Sequence, residues 1–447
     1  MLKEILNYRI ILALYCAVHF AAAKAAESNI IDADEVLSPA VIDVEGTASK
    51  STSNSRYKAD FVAVPFIFSS ESLSATIGAA GVLKHAGQAQ ASLFGIGLYS
   101  KNDSWLTYLG INNYQLPKLD QWLFSGEYYR ANYKQGVYFV PSAAEGSPGV
   151  NSKAGVPTDK VVTVGDETYA KLHIKYVLPW GRGSQGAARR LIPARKSIGW
   201  DPRESGVSSI TLTPFIQTRK LVGFDELPTK AQGLKLKLDW DNRDNGKNSH
   251  SGGRTSLTFS RDFGASGSGE NANDGRESWT TWEFEQSGFF SLGGNTWFDE
   301  QTLALKLYVA DTPTWNNGDN VSGDYLRPPS FSGISLGGFD SLRGYSSNQF
   351  VGRSAVLYSA EYRMQPKWQP LQTLPVFNLY NIPWWQWVMF AQAGQVSDEF
   401  SASELHQDMK WTVGAGVRFE VESVVVRTEF AYSGDERQFW VMVNQPF

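Results

Sequence analysis

Apolar and polar residues alternate along this chain in many short runs, and that period of two is the feature that most constrains its fold. The run over residues 234–240 reads LKLKLDW, and the run over residues 411–419 reads WTVGAGVRF. Alternation at this period is typical of β-strands whose two faces meet different surroundings, and about sixteen such runs follow residue 57. The predicted strands start near residues 61, 75, 91, 105, 121, 168, 208, 233, 255, 279, 301, 354, 387, 411, 423 and 438.

The size of this region favours a closed barrel over a soluble sandwich. Sixteen strands of about ten residues, together with their loops, account for the roughly 390 residues that are available. The runs form one continuous region, and none is the long, wholly apolar strand that a doubly covered sheet requires. Lipid admits only helices and closed barrels across a membrane. The chain is therefore predicted to be all-β, a 16-stranded antiparallel transmembrane β-barrel.

Composition points the same way. Of the 447 residues, 13% are aromatic and 41 are glycine, which suits strands with aromatic residues at a membrane interface. The net charge of −4 gives no support to a nucleic-acid partner held through its phosphates.

The first 25 residues have the pattern of a secretory signal peptide. Lys3 and Arg9 precede an apolar run over residues 10–23, and AKA at 23–25 offers a small-x-small cleavage site. Cys16, the single cysteine, lies inside this segment, so the mature chain is predicted to have no cysteine. Residues 26–57 are predicted to be a short polar tail or plug segment, and residues 58–447 are predicted to be the barrel.

Loop lengths predict an orientation, because barrels of this kind have short periplasmic turns and longer outer loops. Three long segments rich in Gly, Ser and Asn follow odd-numbered strands and are expected outside: 133–167, 263–278 and 311–353. The segment 365–386 is long but follows an even-numbered strand. Trp384, Trp385 and Trp387 at its end are interpreted as part of an interfacial aromatic girdle.

The most specific motif is LGGFDSLRGY at residues 336–345. It resembles the LRGY/VRGF element of the BamA/TamA family of outer-membrane assembly barrels, also called the bacterial surface antigen family. Three further segments resemble family motifs in the same order: DNRD at 241–244 followed by GG at 252–253, SAEYR at 359–363, and VMVNQPF at 441–447. The resemblance covers residues 60–447. It implies a barrel in the cell outer membrane of a Gram-negative bacterium, with the long loop between strands 11 and 12 folded into the lumen.

The resemblance also implies that Arg343 locks the tip of this loop inside the barrel. A loop of about forty residues is costly to order, and one guanidinium with charge-assisted hydrogen bonds can fix its tip. Glu361 is the expected partner, because alternation along its strand points it into the lumen. Gly344 would let the backbone turn sharply, and Tyr345 would pack against the wall.

Two departures from the family stand out. Gln392 lies where the family carries an acid, and because it has no charge the lock is expected to rest on Glu361 alone. Family members that assemble other barrels carry periplasmic POTRA domains, and there is no room for one ahead of residue 58. The chain is therefore expected to resemble the subgroup that lacks POTRA domains.

The strand-turn motif is expected to be structural. It comprises Asp241, Arg243, Asp244 and Gly253. Turn carboxylates and an arginine commonly cross-link neighbouring backbone, which is the role expected here.

The terminal strand is expected to pair poorly with the first strand. It contains Val441 and Val443 and runs to Pro446 and Phe447. The strand is short, and Pro446 has no N–H to donate to a ladder. Poor pairing lowers the free energy that is needed to separate the two strands at this seam.

Three functions compete for such a barrel. The first is insertion or translocation of other proteins through the weak seam. Its expected partners are unfolded outer-membrane proteins or a separate periplasmic protein, together with outer-membrane lipid. The alternative is a passive channel or structural barrel with charges of both signs in its lumen.

An enzyme is the third reading, and the residues disfavour it. The histidines outside the signal segment are His85, His173, His250 and His406. They show no metal-binding spacing, and His173 has no acid near it in the sequence. No catalytic residue, metal site or cofactor is predicted.

Overall fold

One antiparallel sheet of sixteen strands makes up most of the computed structural model. The structure describes residues 59–69, 73–141, 158–188, 199–225, 227–265, 276–315, 326–374, 377–379, 382–421, 424–434, 436–443 and 445–447. The predicted signal peptide (1–25) and polar tail (26–57) lie outside these residues.

The strands of this sheet are β1 Asp60–Ser69, β2 Ala75–Lys84, β3 Ser92–Ser100, β4 Trp105–Tyr114, β5 Trp122–Pro141, β6 Thr158–Val177, β7 Val207–Leu221, β8 Lys230–Asp241, β9 Gly252–Ala265, β10 Arg276–Ser291, β11 Phe298–Asp311, β14 Ser354–Pro366, β15 Trp385–Ser397, β16 Lys410–Val421, β17 Val424–Tyr432 and β18 Arg437–Val443. The short strands β12 Ser335–Leu336 and β13 Phe350–Val351 pair with each other inside the long loop. Short 3₁₀ helices in the described connections span Gly181–Gln185, Leu371–Thr373, Phe377–Leu379 and Glu404–His406. In the described part of the chain, no helix is both long and apolar enough to cross a membrane.

The strands follow one another across the sheet in chain order. Each pairs antiparallel with its sequence neighbours, and β11 pairs with β14 because the small β12–β13 ladder stands apart. The sheet therefore begins with β1 and ends with β18, and none of the ladders found among the described residues joins these two strands. The predictions of an all-β chain and of sixteen strands in one sheet are confirmed.

The prediction is least accurate for the hairpin of β5 and β6. The loop predicted at 133–167 is wrong, because β5 continues to Pro141 and β6 begins at Thr158 rather than near residue 168. The ladder shifts register between Tyr133 and Gly136 and then resumes. The connection between the two strands is therefore 142–157.

Packing beyond the register shift explains why the hairpin continues. Tyr138 and Val140 of β5 are buried in a cluster with Leu221 of β7, and Val161 of β6 packs against it. These apolar contacts stabilise strand residues that the sequence pattern alone did not identify.

The other long connections agree with prediction to within a few residues, and one was overlooked. The structure has them at 266–275, 312–353 and 367–384. A further long connection, 178–206, follows an even-numbered strand and lies at the same end of the sheet as 367–384.

Side chains on the two faces of the sheet meet different surroundings, as the alternation predicts. Leu234, Leu236 and Leu238 of β8 are 36–40% exposed on the outer face. Lys235 between them points to the inner face, where its Nζ lies 5.5 Å from the centre of the Phe215 ring. The outer face is thus apolar, as a lipid-facing wall requires.

The inner face of β3–β6 is more apolar than a wet pore would need. Leu106, Tyr108 and Tyr129 are buried there in one cluster. Two of the expected lumen charges are paired there, because Lys171 Nζ lies 2.9 Å from Glu127 Oε1 in a buried ion pair. Side chains fill the lumen beside these strands.

The connection between β11 and β14 folds into the barrel, as predicted. Phe331 O accepts a hydrogen bond from Gln217 Nε2 of β7 at 3.1 Å, and Gln349 O accepts one from Thr158 Oγ1 of β6 at 2.9 Å. Arg343 in the same loop bonds to side chains of β14, β15 and β17. One loop therefore touches distant strands of the sheet, which curls round it.

Candidate functional site

The tip of the long loop, residues 337–345, is shaped by its own backbone. β12 and β13 pair across its base. Gly337 and Gly338 follow with φ of 108° and 114°, in the left-handed region that favours glycine. Leu342 has a φ of 46°, and the Tyr345 N–H donates to Leu342 O at 2.9 Å. This compact turn presents Arg343 to the inner face of the sheet.

Arg343 is fully buried and bonds to two carboxylates. Its Nη2 donates to Glu361 Oε1 of β14 at 2.8 Å, and its Nη1 donates to Glu429 Oε2 of β17 at 2.7 Å. The guanidinium lies over the Phe390 ring, with Cζ 3.5 Å from the ring centre. Charge-assisted bonds and a stacked ring together restrict the guanidinium to one place.

The expectation that Arg343 relies on Glu361 alone is wrong, because Glu429 is a second carboxylate partner. Alternation along β17 indicates that Glu429 faces the lumen. Its contact with Arg343, 86 residues away, depends on the registers of β14–β17, which the sequence pattern does not contain.

Three further arginines surround the two glutamates. Arg418 of β16 bridges them, with its Nη2 2.7 Å from Glu361 Oε1 and 2.6 Å from Glu429 Oε1. Arg363 Nη2 lies 2.7 Å from Glu361 Oε2, and Arg427 Nη1 lies 3.6 Å from Glu429 Oε2. Because each glutamate is shared, losing either one would leave buried positive charge poorly compensated.

Gln392 of β15 supplies both an acceptor and a donor. Its Oε1 accepts hydrogen bonds from the backbone N–H and the Nε of Arg343 at 2.9 and 3.2 Å. Its Nε2 donates to Asp340 O and to Ser359 Oγ, each at 3.3 Å. A carboxylate has no donor, so the amide in this position bonds to both sides of the loop tip.

Gly344 is required for space and not for a sharp turn, contrary to expectation. Within the tip, the residues with positive φ are Gly337, Gly338 and Leu342. A Cβ on Gly344 would lie 2.8 Å from Ser433 Cβ and 3.0 Å from the backbone nitrogen of Ser433, closer than such atoms normally come. The glycine thus permits the loop to approach the β17–β18 turn.

Tyr345 lies in an apolar cluster between the loop and the wall. Its ring meets the Phe350 ring edge-on, with centres 4.9 Å apart. The same cluster includes Leu357 of β14 and Val396 of β15.

The loop also contacts the last hairpin, which the sequence reasoning did not foresee. Trp440 Nε1 of β18 donates to Arg343 O at 2.6 Å. Gln349 Nε2 donates to Glu436 Oε1, in the β17–β18 turn, at 2.8 Å. The loop tip therefore braces the last strand of the sheet from inside.

The strand-turn motif bonds within its own turn. Asp241 Oδ1 and Oδ2 accept hydrogen bonds from Arg243 Nε and Nη2 at 3.0 and 2.8 Å. Asp244 Oδ1 accepts one from the His250 N–H at 2.9 Å. Burial lowers the pKa of His250, against the opposing charge of Asp244. A Cβ on Gly253 would lie 2.4 Å from a backbone oxygen of β10.

The terminal residues turn inward after the last strand. Val441 and Val443 lie in β18, which ends at Val443, whereas Pro446 and Phe447 lie beyond it. Phe447 is 3% exposed, and its carbonyl oxygen accepts a hydrogen bond from Arg363 Nη2 at 3.3 Å. The strand therefore ends four residues before the end of the terminal motif.

His173 has an acid close in space that its sequence neighbours do not supply. Its Nε2 lies 3.5 Å from Glu127 Oε1, and its Nδ1 lies 3.0 Å from Thr213 Oγ1. Glu127 also pairs with Lys171, and Tyr108 OH donates to it at 3.2 Å. Over the described residues, no group of three or more His, Cys, Asp or Glu side chains is placed to hold a metal ion.

Comparisons with known proteins agree with this architecture. The Omp85 superfamily domain matches residues 224–440, a span that contains three of the four motif segments. No curated protein sequence matches the chain. Among solved structures, CdiB from Escherichia coli is similar with a TM-score of 0.52 at 14% identity, over 86% of this chain and 61% of that one.

Two other solved structures are similar over much of this chain. One is BamA from Haemophilus ducreyi lacking POTRA domains 1-3, with a TM-score of 0.48 at 12% identity, over 87% of this chain and 70% of that one. The other is CdiB from Acinetobacter baumannii, with a TM-score of 0.49 at 14% identity, over 86% of this chain and 58% of that one.

Proposed function

We propose, from the premise that residues 224–440 are an Omp85 superfamily domain, that this barrel acts on other proteins through a weak seam between β1 and β18. The chain is an outer-membrane barrel of the protein insertion and translocation class. The proposal adds the seam and assigns Arg343 the task of holding the loop tip beside it.

The order of the strands is the observation that carries the proposal. β1 and β18 are the two ends of the sheet, and the ladders of the described residues do not connect them. β18 has seven residues, whereas β5 and β6 have twenty each. A short strand offers few ladder hydrogen bonds, and Pro446 beyond it has none to donate. Separating the strands at the seam therefore requires less free energy than separating two strands of an interior ladder.

Contacts from the loop support the second part of the proposal. The hydrogen bond from Trp440 Nε1 to Arg343 O joins the loop tip to the last strand. The guanidinium of the same arginine is held by Glu361 and Glu429. The loop thus restrains β18 from the lumen side, and its release would let the strand move.

The class of cargo follows from the chemistry of an open seam. A separated β1 or β18 presents free backbone N–H and C=O groups, which an extended peptide can pair with. Unfolded outer-membrane proteins are strand-rich peptides of this kind. A separate periplasmic protein is the proposed partner for capturing them, and outer-membrane lipid surrounds the wall.

Disulfides across the seam test the proposal. Single cysteines placed in 61–68 and in 439–445 of the otherwise cysteine-free mature chain give a set of seam pairs. Leu238→Cys with Leu257→Cys is the matched control, because these two residues face each other across the interior β8–β9 ladder. Each variant replaces the wild-type protein in cells whose outer-membrane proteome is then measured.

Oxidised seam pairs are expected to deplete other barrels from the outer membrane, and a reductant is expected to restore them. The control pair should have no effect in either state. Normal levels of other barrels in cells that carry an oxidised seam pair would refute the proposal that the seam must open. A proteome that does not change when the protein is depleted would refute the activity itself.

A passive channel is the second candidate, favoured by lumen charges of both signs. The pair of Lys306 and Glu285, with 2.8 Å between Nζ and Oε2, is an example on β10 and β11. The conductance of the barrel in a planar bilayer distinguishes this candidate from the first, because a passive channel should pass a large and steady current.

A further inference from the structure

A groove crosses the outer face of five neighbouring strands, β10, β11, β14, β15 and β16. Its floor follows one row of paired residues: Gly288, Leu305, Ala360, Ala391 and Val413. Three of these five residues are glycine or alanine, so the wall is indented where larger side chains stand on either side. The groove has a volume of about 920 Å³.

Large apolar side chains form the sides of the groove. Phe290 of β10 stands towards one end of the strands, and Tyr358 and Trp411 stand towards the other. All three are between 43% and 47% exposed on the outer face. The lining is therefore apolar and faces away from the lumen, into the region that lipid occupies in an outer-membrane barrel.

Connections from both ends of the barrel lie against the outer wall near the groove. Trp200, in the connection 178–206, lines the groove and packs edge-on against Trp240 of β8, with ring centres 5.9 Å apart. At the opposite end of the barrel, Phe400 of the connection 398–409 packs edge-on against Trp282 of β10, with ring centres 5.4 Å apart. His406 Nε2 of the same connection lies 3.0 Å from Tyr358 OH. Both connections fold back onto the outer wall.

The dimensions of the groove fit one hydrocarbon chain. Five strands at about 4.8 Å spacing give a floor about 19 Å long, while one leaflet of the hydrocarbon core is about 15 Å thick, half of ~30 Å. A chain inclined to the membrane normal has this length. In a membrane no hydrophobic gain favours binding, so close packing on small residues decides which contacts persist.

We infer that this groove is a binding site for one acyl chain of an outer-membrane lipid, held more tightly than the lipid around the rest of the wall. The site lies on the face opposite to the arginine cluster and does not depend on the proposed seam. Phospholipid and lipopolysaccharide both carry such chains, so the chain itself is the ligand that the groove recognises.

Filling the floor tests the inference. Ala391→Trp places an indole in the groove, and Ala415→Trp is the matched control, because Ala415 of β16 is exposed on the same outer face but outside the groove. Both variants and the wild type are extracted from outer membranes in mild detergent as the mature chain. Native mass spectrometry then records lipid retained on the folded barrel, whose folding is checked by heat-modifiable gel mobility.

The wild type and Ala415→Trp are expected to retain a lipid adduct, and Ala391→Trp is expected to lose it. Reloading delipidated protein from phosphatidylglycerol vesicles, or from purified lipopolysaccharide, identifies the source of the chain by the mass restored. Ala360→Phe, at a second floor position, provides the same test should Ala391→Trp not fold. A wild-type barrel without adduct, or a filled groove with the adduct unchanged, would overturn the inference.

Discussion

Arg343 uses a property that no other side chain has. A guanidinium offers five donors in one plane. Here they reach Glu361, Glu429 and Gln392, which come from three different strands. A lysine in this place would keep the charge but would lose the fixed fork of donors, so its restraint on the loop would be weaker.

Replacing Arg343 by alanine should release the loop tip. Removing one partner from a buried ion pair costs about 3–5 kcal/mol, and the lower end applies here because Arg418 still bridges both glutamates. Limited proteolysis of the folded barrel should show faster cleavage within 312–353 for Arg343→Ala and an intermediate rate for Arg343→Lys. Arg203→Ala, at an exposed arginine, is the control. Equal cleavage of Arg343→Ala and wild type would contradict the lock.

Two substitutions of Gln392 should differ in a defined order. Gln392→Leu leaves the backbone N–H and the Nε of Arg343 without this acceptor, at about 1–3 kcal/mol for each buried group. Gln392→Glu keeps the acceptor, adds a negative charge beside the Arg343 guanidinium, and loses the donor to Asp340 O and Ser359 Oγ. The temperature at which heat-modifiable mobility is lost should therefore fall more for leucine than for glutamate. The reverse order would show that the amide donor matters more.

At the scale of strands, alternation predicts an element only where its two faces meet different surroundings. β8 meets this condition, and the structure confirms its predicted start to within three residues. The first ten residues of β6 do not show the alternation, because apolar residues lie on both faces: Val161 packs into an apolar cluster, and Val162 beside it is exposed on the other face. Two adjacent valines interrupt the alternation of apolar and polar residues, so the sequence pattern predicts a loop there.

The same limit applies to the site. Alternation predicted that Glu361 faces the lumen, but which residues meet at one height depends on ladder register. Ser359 lies opposite Gln392, and Gln392 lies opposite Thr412. Such cross-strand offsets bring Glu429 to Arg343, and no local pattern encodes them.

Tyr138 should hold the extended part of the β5–β6 hairpin. It is buried beside Val140 and Leu221, and the Arg219 guanidinium lies 5.3 Å from its ring centre. Tyr138→Ala should cost about 3 kcal/mol locally, as other large-to-small changes of buried aromatics do. Hydrogen exchange of residues 137–140 and 158–163 should accelerate, whereas Val162→Ala, at an exposed position, should leave it unchanged. Unchanged exchange in Tyr138→Ala would contradict the role of this cluster.

Asp398 should make the connection 398–409 sensitive to pH. Burial raises its pKa from 3.8 to about 6, with Arg327 opposing and Glu399 adding to the shift. A carboxyl whose pKa is raised in the folded state stabilises that state below its unfolded pKa. The contribution is lost as the pH rises through about 6. The folded connection should therefore be more stable at pH 4 than at pH 7.

Asp398→Asn is neutral at every pH and should remove this dependence. Hydrogen exchange of 398–409 should match the wild type at pH 4 and be slower than the wild type at pH 7. Comparison at equal pH cancels the intrinsic change in exchange rate. Identical exchange of the two proteins at pH 7 would show that the carboxyl is not buried in this way.

For the molecule as a whole, the interior is divided between two kinds of contact. Apolar and tyrosine side chains fill the lumen beside β3–β6, while arginines and glutamates occupy it beside β14–β17. The long loop joins the two regions, because it bonds to Thr158 and Gln217 on one side and to Glu361 on the other. We expect a loop that crosses the lumen in this way to obstruct the passage of ions.

Conductance in a planar bilayer should reflect this bridge. The wild-type barrel should pass small, infrequent currents, and Arg343→Ala should raise the mean current, because the loop tip loses its bonds to Glu361 and Glu429. Arg203→Ala should behave as the wild type. A passive channel predicts something different: its loop would set the pore size without a release step, and the current would be large and steady. Such a current, unchanged in Arg343→Ala, would favour the channel and contradict a loop that must move before the seam can open.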